Sequence, residues 1–324
     1  MWAIICRSWG EPEDLDFDEM PEPDMIEGGV RIKVRAAGVN FADSLIIAGK
    51  YQVKPFHPFS PGLEVAGEVM ECAPSVVRFK PGDRVMALVQ YGGYAEQVVT
   101  EESDVFLIPD NMDFITAASF LVVYGTSHIG IKYKLNLKKG ETLLINGAAG
   151  GVGLTAIEIA KLMGGTIIAA AGSKNKLELA KKMGAHHLIN YSEEDVRARV
   201  KIFTKGKGVD AVYDPVGGDA FEVALRATSQ RGRVLVVGFA SGSVQQIPAN
   251  ILLVKNISVI GYYWGAYRIL EPKLLKESFA ELIGWFEEGK LRPHISQTFD
   301  LPDAGAAIKA LSSRQSTGKV VIKI

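Results

Sequence analysis

Cysteine is nearly absent. Cys6 and Cys72 are the two in 324 residues, and they stand in unrelated contexts. Two isolated thiols cannot build a disulfide framework or a cysteine-rich metal site, and such usage fits an intracellular chain, with the cytoplasm expected. Long apolar runs are missing too: no window approaches the roughly 20 residues of a membrane span. The start, Met1-Trp2-Ala3-Ile4-Ile5-Cys6-Arg7, lacks the basic lead and long apolar stretch of a secretory signal. Nor is there an excess of charge of either sign. Lys and Arg number 36 and Asp and Glu 37, a net charge of −1, which gives no general pull towards nucleic acid or an anionic membrane. What remains is a soluble globular composition, 48% hydrophobic and 23% charged. The length suffices for two domains, with a cleft expected between them.

The first third reads as β structure. Val30, Ile32 and Val34 alternate with Arg31, Lys33 and Arg35, the period of a strand with one wet face. Turn signals are dense, as in Pro21-Glu22-Pro23, Lys80-Pro81-Gly82-Asp83 and Gly92-Gly93. An irregular, barrel-like antiparallel region is the simplest reading. Near residue 120 the pattern changes. Thr142–Ile145, Thr166–Ala171, Val209–Tyr213, Val234–Phe239 and Ile257–Tyr262 read as strands buried on both faces. Between the first two, Val152, Ala156, Ile159 and Met163 make one helical stripe. Alternation of this kind marks a parallel sheet flanked by helices. A later helix carries Leu275, Phe279, Leu282 and Phe286 on one face, with Gly289 as its stop. The last residues, Lys319 to Ile324, return to strand and are expected to rejoin the N-terminal β region, which makes the α/β part an insertion.

Thr142-Leu143-Leu144-Ile145 runs into Asn146-Gly147-Ala148-Ala149-Gly150-Gly151-Val152-Gly153, and a helix follows at once. A strand, a glycine-rich turn and a helix N-terminus make an anion site, because backbone N–H groups and the helix dipole face the ligand. The spacing Gly147, Gly150, Gly153 is a variant of the dinucleotide fingerprint, and the string alone is weak; its context is the one the motif requires. Gly147, Ala149, Gly150, Gly151, Val152 and Gly153 are therefore expected to hold the pyrophosphate. An NAD site usually places Asp or Glu at the end of the second strand, for the ribose 2′-hydroxyl. Here that stretch is Ala171-Gly172-Ser173-Lys174-Asn175-Lys176, without a carboxylate. Ser173 and the lysines favour a 2′-phosphate, hence NADP(H) over NAD(H). The plainer alternative is that the lysines are solvated charges opening a helix.

Five strings together resemble the medium-chain dehydrogenase/reductase superfamily, and within it the NADPH:quinone oxidoreductase (zeta-crystallin-like) group. They are Ala37-Gly38-Val39-Asn40-Phe41-Ala42-Asp43, Pro61 to Gly67, Lys80 to Val85, Gly147 to Gly153 and Ala185 to Tyr191, so the resemblance covers essentially the whole length. It implies a Rossmann-type doubly wound parallel sheet domain, residues 124–263, inserted in a GroES-like, mainly β catalytic domain, residues 1–123 and 264–324. Zinc-dependent members of the superfamily carry Cys near the Asn40 position and His where Leu63 stands, beside Glu64, together with a four-cysteine lobe. Zinc needs three protein ligands in place, so no metal is expected here, and no histidine shows metal spacing.

Without a metal, hydride acceptance relies on the substrate's own electrophilicity, as in quinones and α,β-unsaturated carbonyls. The resemblance places Asn40, Asp43 and Tyr51 at the nicotinamide end as catalytic candidates. Asn40 would hydrogen-bond a substrate oxygen, Asp43 would organise water or the nearby loop, and Tyr51 would stack on a flat substrate or donate a hydrogen bond. The ordinary alternatives are turn-forming Asn and Asp and a half-buried Tyr. Leu45 replaces a Tyr of several members, which alters the polar wall. For the cofactor, the resemblance points to Thr126 near the nicotinamide, Lys176 and Tyr191 at the 2′-phosphate, Phe239, Ser241 and Tyr263 closing over the nicotinamide half, and Arg314 approaching from the C-terminal part. The leading expectation is reduction of a quinone by NADPH. The alternatives are an enone or 2-enoyl thioester reductase and, in another class, a cofactor-binding crystallin-like or RNA-binding protein. The strand Asn256 to Tyr262, apolar and free of proline and charge, is expected at a sheet edge, where it would pair with its copy in a homodimer.

Overall fold

The computed structural model describes residues 1–324, which form two compact units, Met1–Val122 with Pro293–Ile324 and Val123–Arg292. In the first unit a seven-stranded sheet is built around Gly29–Val39. Its order is Ile295–Asp300, Lys319–Lys323, Gly29–Val39, Glu64–Cys72, Arg84–Leu88, Val105–Leu107, and Gln97–Glu101 also pairs with Gly29–Val39. That eleven-residue strand is long enough for two neighbours on one edge. Gly29 to Lys33 pair with Gln97–Glu101, and Ala36 to Val39 pair antiparallel with the C-terminal strand. The expected return of the chain end is thus observed. Val30, Ile32 and Val34 are buried as their alternation predicts, and they pack with Val65, Val69, Val85, Val320 and Ile322. A separate hairpin joins Trp2–Ile5 to Asp16–Glu19.

The second unit holds a six-stranded, all-parallel sheet ordered His187–Asn190, Thr166–Ala171, Thr142–Ile145, Val209–Asp214, Thr228–Val236, Ser258–Gly261. Numbered along the chain this is 3-2-1-4-5-6, the doubly wound Rossmann order. Leu143, Leu144, Ile145, Ile167 and Ile168 have no exposed surface, because helices cover both faces. The strand His187–Asn190 escapes the sequence pattern: it is four residues long and polar at both ends, and the stacking of His187 on the Phe203 ring at 4.4 Å covers it. The fifth and sixth strands end earlier than expected, at Val236 and Gly261. The helix Gly151–Leu162 is buried all round from Gly153 to Ala160 rather than along one stripe, as befits a helix wedged under the sheet. No helix is long and apolar enough to cross a membrane.

One boundary differs from the sequence reading. Residues 264–292 belong to the second unit, and the chain returns to the first at Pro293 rather than at 264; the second unit opens at Val123. The reason is the helix Pro272–Glu287, which buries Leu275, Phe279 and Leu282. Its Ser278 Oγ lies 2.7 Å from His128 Nδ1, its Glu281 pairs with Lys132, and Phe279 meets the Trp264 ring edge-on at 6.2 Å. Burial pushes His128 down to about 4, so it sits neutral in this contact at neutral pH. Arg292 N donates to Glu158 Oε1 at 2.8 Å and ties the end of the segment to the same unit.

Candidate active site

The phosphate cradle is assembled by the first strand of the parallel sheet. Beyond Ile145, Gly147 adopts φ +58°, a left-handed turn that suits glycine. Ala148 N then donates to Ala170 O at 3.0 Å and Gly150 N to Gly147 O at 3.0 Å, so the loop is pinned to the neighbouring strand and to itself. The helix begins at Gly151, and the N–H groups of its first turn lack intrahelical partners. A Cβ on Gly153 would lie 2.4 Å from Gly147 O and 2.8 Å from the backbone of Ala148, so only glycine lets helix and loop approach this closely. These features fit a dinucleotide pyrophosphate.

Two residues outside the sequence motif hold the loop. Asn146 Nδ2 donates to Asp214 Oδ1 at 3.0 Å, and Asp214 also accepts from Val216 N at 3.1 Å and Gly217 N at 3.2 Å. Asp214 is fully buried; burial raises its pKa while these donors oppose the rise. The sequence signal for it was slight, an acid ending an apolar run just before Pro215-Val216-Gly217-Gly218.

At the end of the second strand Ser173 occupies the cap position of the helix Lys174–Met183. Lys174 is exposed and Lys176 half-buried. Tyr191 N donates to Ala171 O at 3.2 Å, which brings Tyr191 from the third strand beside the end of the second, with half its surface exposed. Ser173, Lys176 and Tyr191 thus belong to one corner of the sheet. Thr126 lies on the helix Leu121–His128, and its backbone oxygen accepts from Tyr262 Oη at 2.9 Å. Phe239, Ser241 and Tyr263 lie exposed beyond the ends of the fifth and sixth strands. Arg314 is on the first unit, exposed and at φ +60°, in the turn between the helix Ala304–Ser312 and the last strand.

Of the remaining candidates, Asn40 and Asp43 lie in a buried polar cluster of the first unit. Lys319 Nζ donates to Val39 O at 2.7 Å, Asn40 Oδ1 at 2.8 Å and Glu64 Oε1 at 2.8 Å. Asn40 Nδ2 donates to Glu64 Oε1 at 3.0 Å and Gly38 O at 3.2 Å, and Glu64 Oε2 accepts from Val122 N at 3.0 Å. Both amide hydrogens of Asn40 are therefore committed within the protein, which leaves none for the substrate oxygen assigned to it above. Asp43 has no exposed surface. Its Oδ2 accepts from Asn40 N at 2.7 Å and Tyr94 Oη at 2.6 Å, while Oδ1 has no partner. Burial raises Asp43 to about 6, against the donors and Lys319, which lower it. It organises the start of the helix Phe41–Ile47 and cannot touch a substrate. Tyr51 packs half-buried against the same core.

Residues 26–110 match the model of the alcohol dehydrogenase GroES-like domain, and residues 151–288 match that of the zinc-binding dehydrogenase. The chain is 41% identical over 322 residues to a quinone oxidoreductase-like protein 2 homolog of Nematostella vectensis, covering 99% of this chain and 88% of that one. The Escherichia coli quinone oxidoreductase complexed with NADPH superposes with a TM-score of 0.93 at 32% identity, with all of both chains covered. A mycobacterial structure, also complexed with NADPH, superposes at 0.94 with 30% identity over the whole of both chains. The chain belongs to the medium-chain dehydrogenase/reductase superfamily, in its quinone oxidoreductase group. The first unit is accordingly GroES-like, and the second is the Rossmann-type nucleotide unit.

One family model carries zinc in its description, and the residues of this member do not fit that metal. Leu63 offers no ligand atom, and the Glu64 carboxylate already receives the Lys319 ammonium, the Asn40 amide and Val122 N. No three His, Cys, Asp or Glu side chains come together as a ligand set. Lys319, Glu64 and Tyr94 were not candidates in the sequence; the signal for Lys319 was a charge next to the apolar run Val320-Val321-Ile322.

Proposed function

We propose that this oxidoreductase reduces a quinone with NADPH and does so without zinc. The observation that carries the reading is the glycine cradle of the nucleotide unit next to a second strand that ends without a carboxylate, in a corner bearing Ser173, Lys176 and Tyr191. Bound NADPH supplies the hydride. The chain's own part is to hold the pyrophosphate at Gly147, Ala149, Gly150, Gly151, Val152 and Gly153, and the 2′-phosphate at Ser173, Lys176 and Tyr191. Thr126, Phe239, Ser241, Tyr263 and Arg314 are proposed as further cofactor contacts. With Asn40 and Asp43 committed to the interior, Tyr51 is the proposed substrate contact, stacking on a flat ring or donating to its oxygen. The naming of the Escherichia coli relative supports the substrate class.

Steady-state turnover of 1,4-benzoquinone, cyclohexenone, a 2-enoyl thioester, ethanol and acetone tests the reading. The quinone should give the highest kcat/KM, with no turnover of ethanol or acetone. Tyr51→Ala should lower quinone kcat/KM about tenfold, roughly 1.4 kcal/mol, with NADPH affinity much less affected. Preference for the enone or thioester would replace the quinone assignment. No turnover of any of them would favour a non-catalytic role.

We also infer a homodimer through the sixth strand of the parallel sheet. Ser258–Gly261 has one strand partner, Thr228–Val236, and so forms an edge. Around it in the chain Leu253, Val254, Tyr263, Ile269 and Leu270 are exposed apolar side chains. An uncharged edge with apolar flanks suits antiparallel pairing with its own copy about a twofold axis.

A further inference from the structure

Gly172 follows the second strand of the nucleotide unit, and its backbone is outside the left-handed region. No turn therefore requires glycine there. What the position does require is space. A Cβ on Gly172 would lie 2.9 Å from Tyr191 Oη and 3.0 Å from Tyr191 Cε2 and Cζ. The hydroxyl end of the Tyr191 ring thus lies against the bare Cα of Gly172. Two further bonds hold this arrangement: Tyr191 N to Ala171 O at 3.2 Å, and Ser192 Oγ to Gly172 O at 3.1 Å. Tyr191 is half exposed, so its ring has solvent on one side into which it can be displaced.

We propose that Gly172 is a specificity-positioning residue: its missing side chain lets the Tyr191 ring lie across the end of the second strand, with its hydroxyl held at the 2′-phosphate corner. The inference rests on the assignment of Tyr191 to the 2′-phosphate. A methyl group at 172 costs little in folding, because the exposed ring moves instead of the backbone. The ring then leaves its seat, and the hydroxyl leaves with it. Gly172 acts through Tyr191 and not by touching the phosphate itself. Selection between NADPH and NADH is then written partly in a residue without a side chain.

The test is a double-mutant cycle read by direct binding of NADPH and NADH, through fluorescence titration of the full chain. Gly172→Ala should weaken NADPH about tenfold and leave NADH within twofold, with the melting temperature within a few degrees of the wild type. Tyr191→Ala should do the same to NADPH. In the double variant, Gly172→Ala should add no further loss, because the ring it displaces is gone. Equal weakening of both cofactors by Gly172→Ala, or a full additional loss in the double variant, would overturn the proposal, since either result assigns the effect to the backbone. Should Tyr191→Ala leave the NADPH preference intact, the 2′-phosphate assignment itself falls and the proposal with it. If Tyr191→Ala removes the preference while Gly172→Ala does not, the proposal alone fails.

Discussion

Lys319 brings its charge into the interior of the GroES-like unit and gives it three oxygens there. Removing one member of such a buried pair leaves the other charge uncompensated, a cost of about 3–5 kcal/mol. Lys319→Met should therefore lower the free energy of unfolding by about that much in urea, and Glu64→Gln in the same chain should recover part of it. Asp43 provides a pH signature. Its folded pKa, about 6, is raised above the unfolded value, so the folded state holds the proton more tightly. This group's contribution to stability is therefore largest at low pH and declines as pH rises from about 4 to 6. The stability of wild type minus that of Asp43→Asn should fall by about 2–3 kcal/mol between pH 4 and 7. A flat difference across that window would refute the assignment. The sequence marked Asn40 and Asp43 as notable, but their partners Lys319, Glu64 and Tyr94 lie far along the chain. Spacing cannot report contacts made by sheet pairing, so Asn40 reads as a substrate group when its amide is spent in the interior, while Asp43, read as organising water or the nearby loop, is found organising the start of Phe41–Ile47.

The proposed cradle and the proposed pairing edge can each be tested at a single residue. Gly153→Ala places a methyl against Gly147 O and the Ala148 backbone, atoms that cannot yield without moving the loop. We expect NADPH affinity to fall at least tenfold in a fluorescence titration, with NADH affected equally, because the pyrophosphate is common to both. At the sheet edge, the wild type should sediment as a dimer at micromolar concentration, and Val259→Pro should give monomer or insoluble protein. A monomeric wild type would remove the edge-pairing proposal. The cradle was legible because strand, glycine spacing and helix are contiguous. The third strand was not: four residues with polar ends carry too little periodicity, and its place comes from parallel pairing with Thr166–Ala171.

For the molecule as a whole, the proposed independence from zinc has a direct measure. Exhaustive chelation should leave both turnover and melting temperature unchanged, and elemental analysis should find no stoichiometric zinc. Stoichiometric metal would overturn the proposed independence from zinc.

What the sequence by itself determined is local: the alternation of Val30 to Val34, the glycine spacing at the phosphate loop, the missing acid after Ala171, and Leu63 in place of a ligand. Each is a property of neighbouring residues, and local geometry follows from them. Tertiary structure decided the rest. It set the return of the chain at Pro293, because Ser278 and Glu281 find their contacts with His128 and Lys132 in the nucleotide unit. It committed Asn40 and Asp43 to the interior, because Lys319 arrives beside Asn40 only when the last strand pairs with Ala36 to Val39. A charge read in isolation has no partner; the fold supplies one from the other end of the chain, and the low-dielectric interior makes that choice binding.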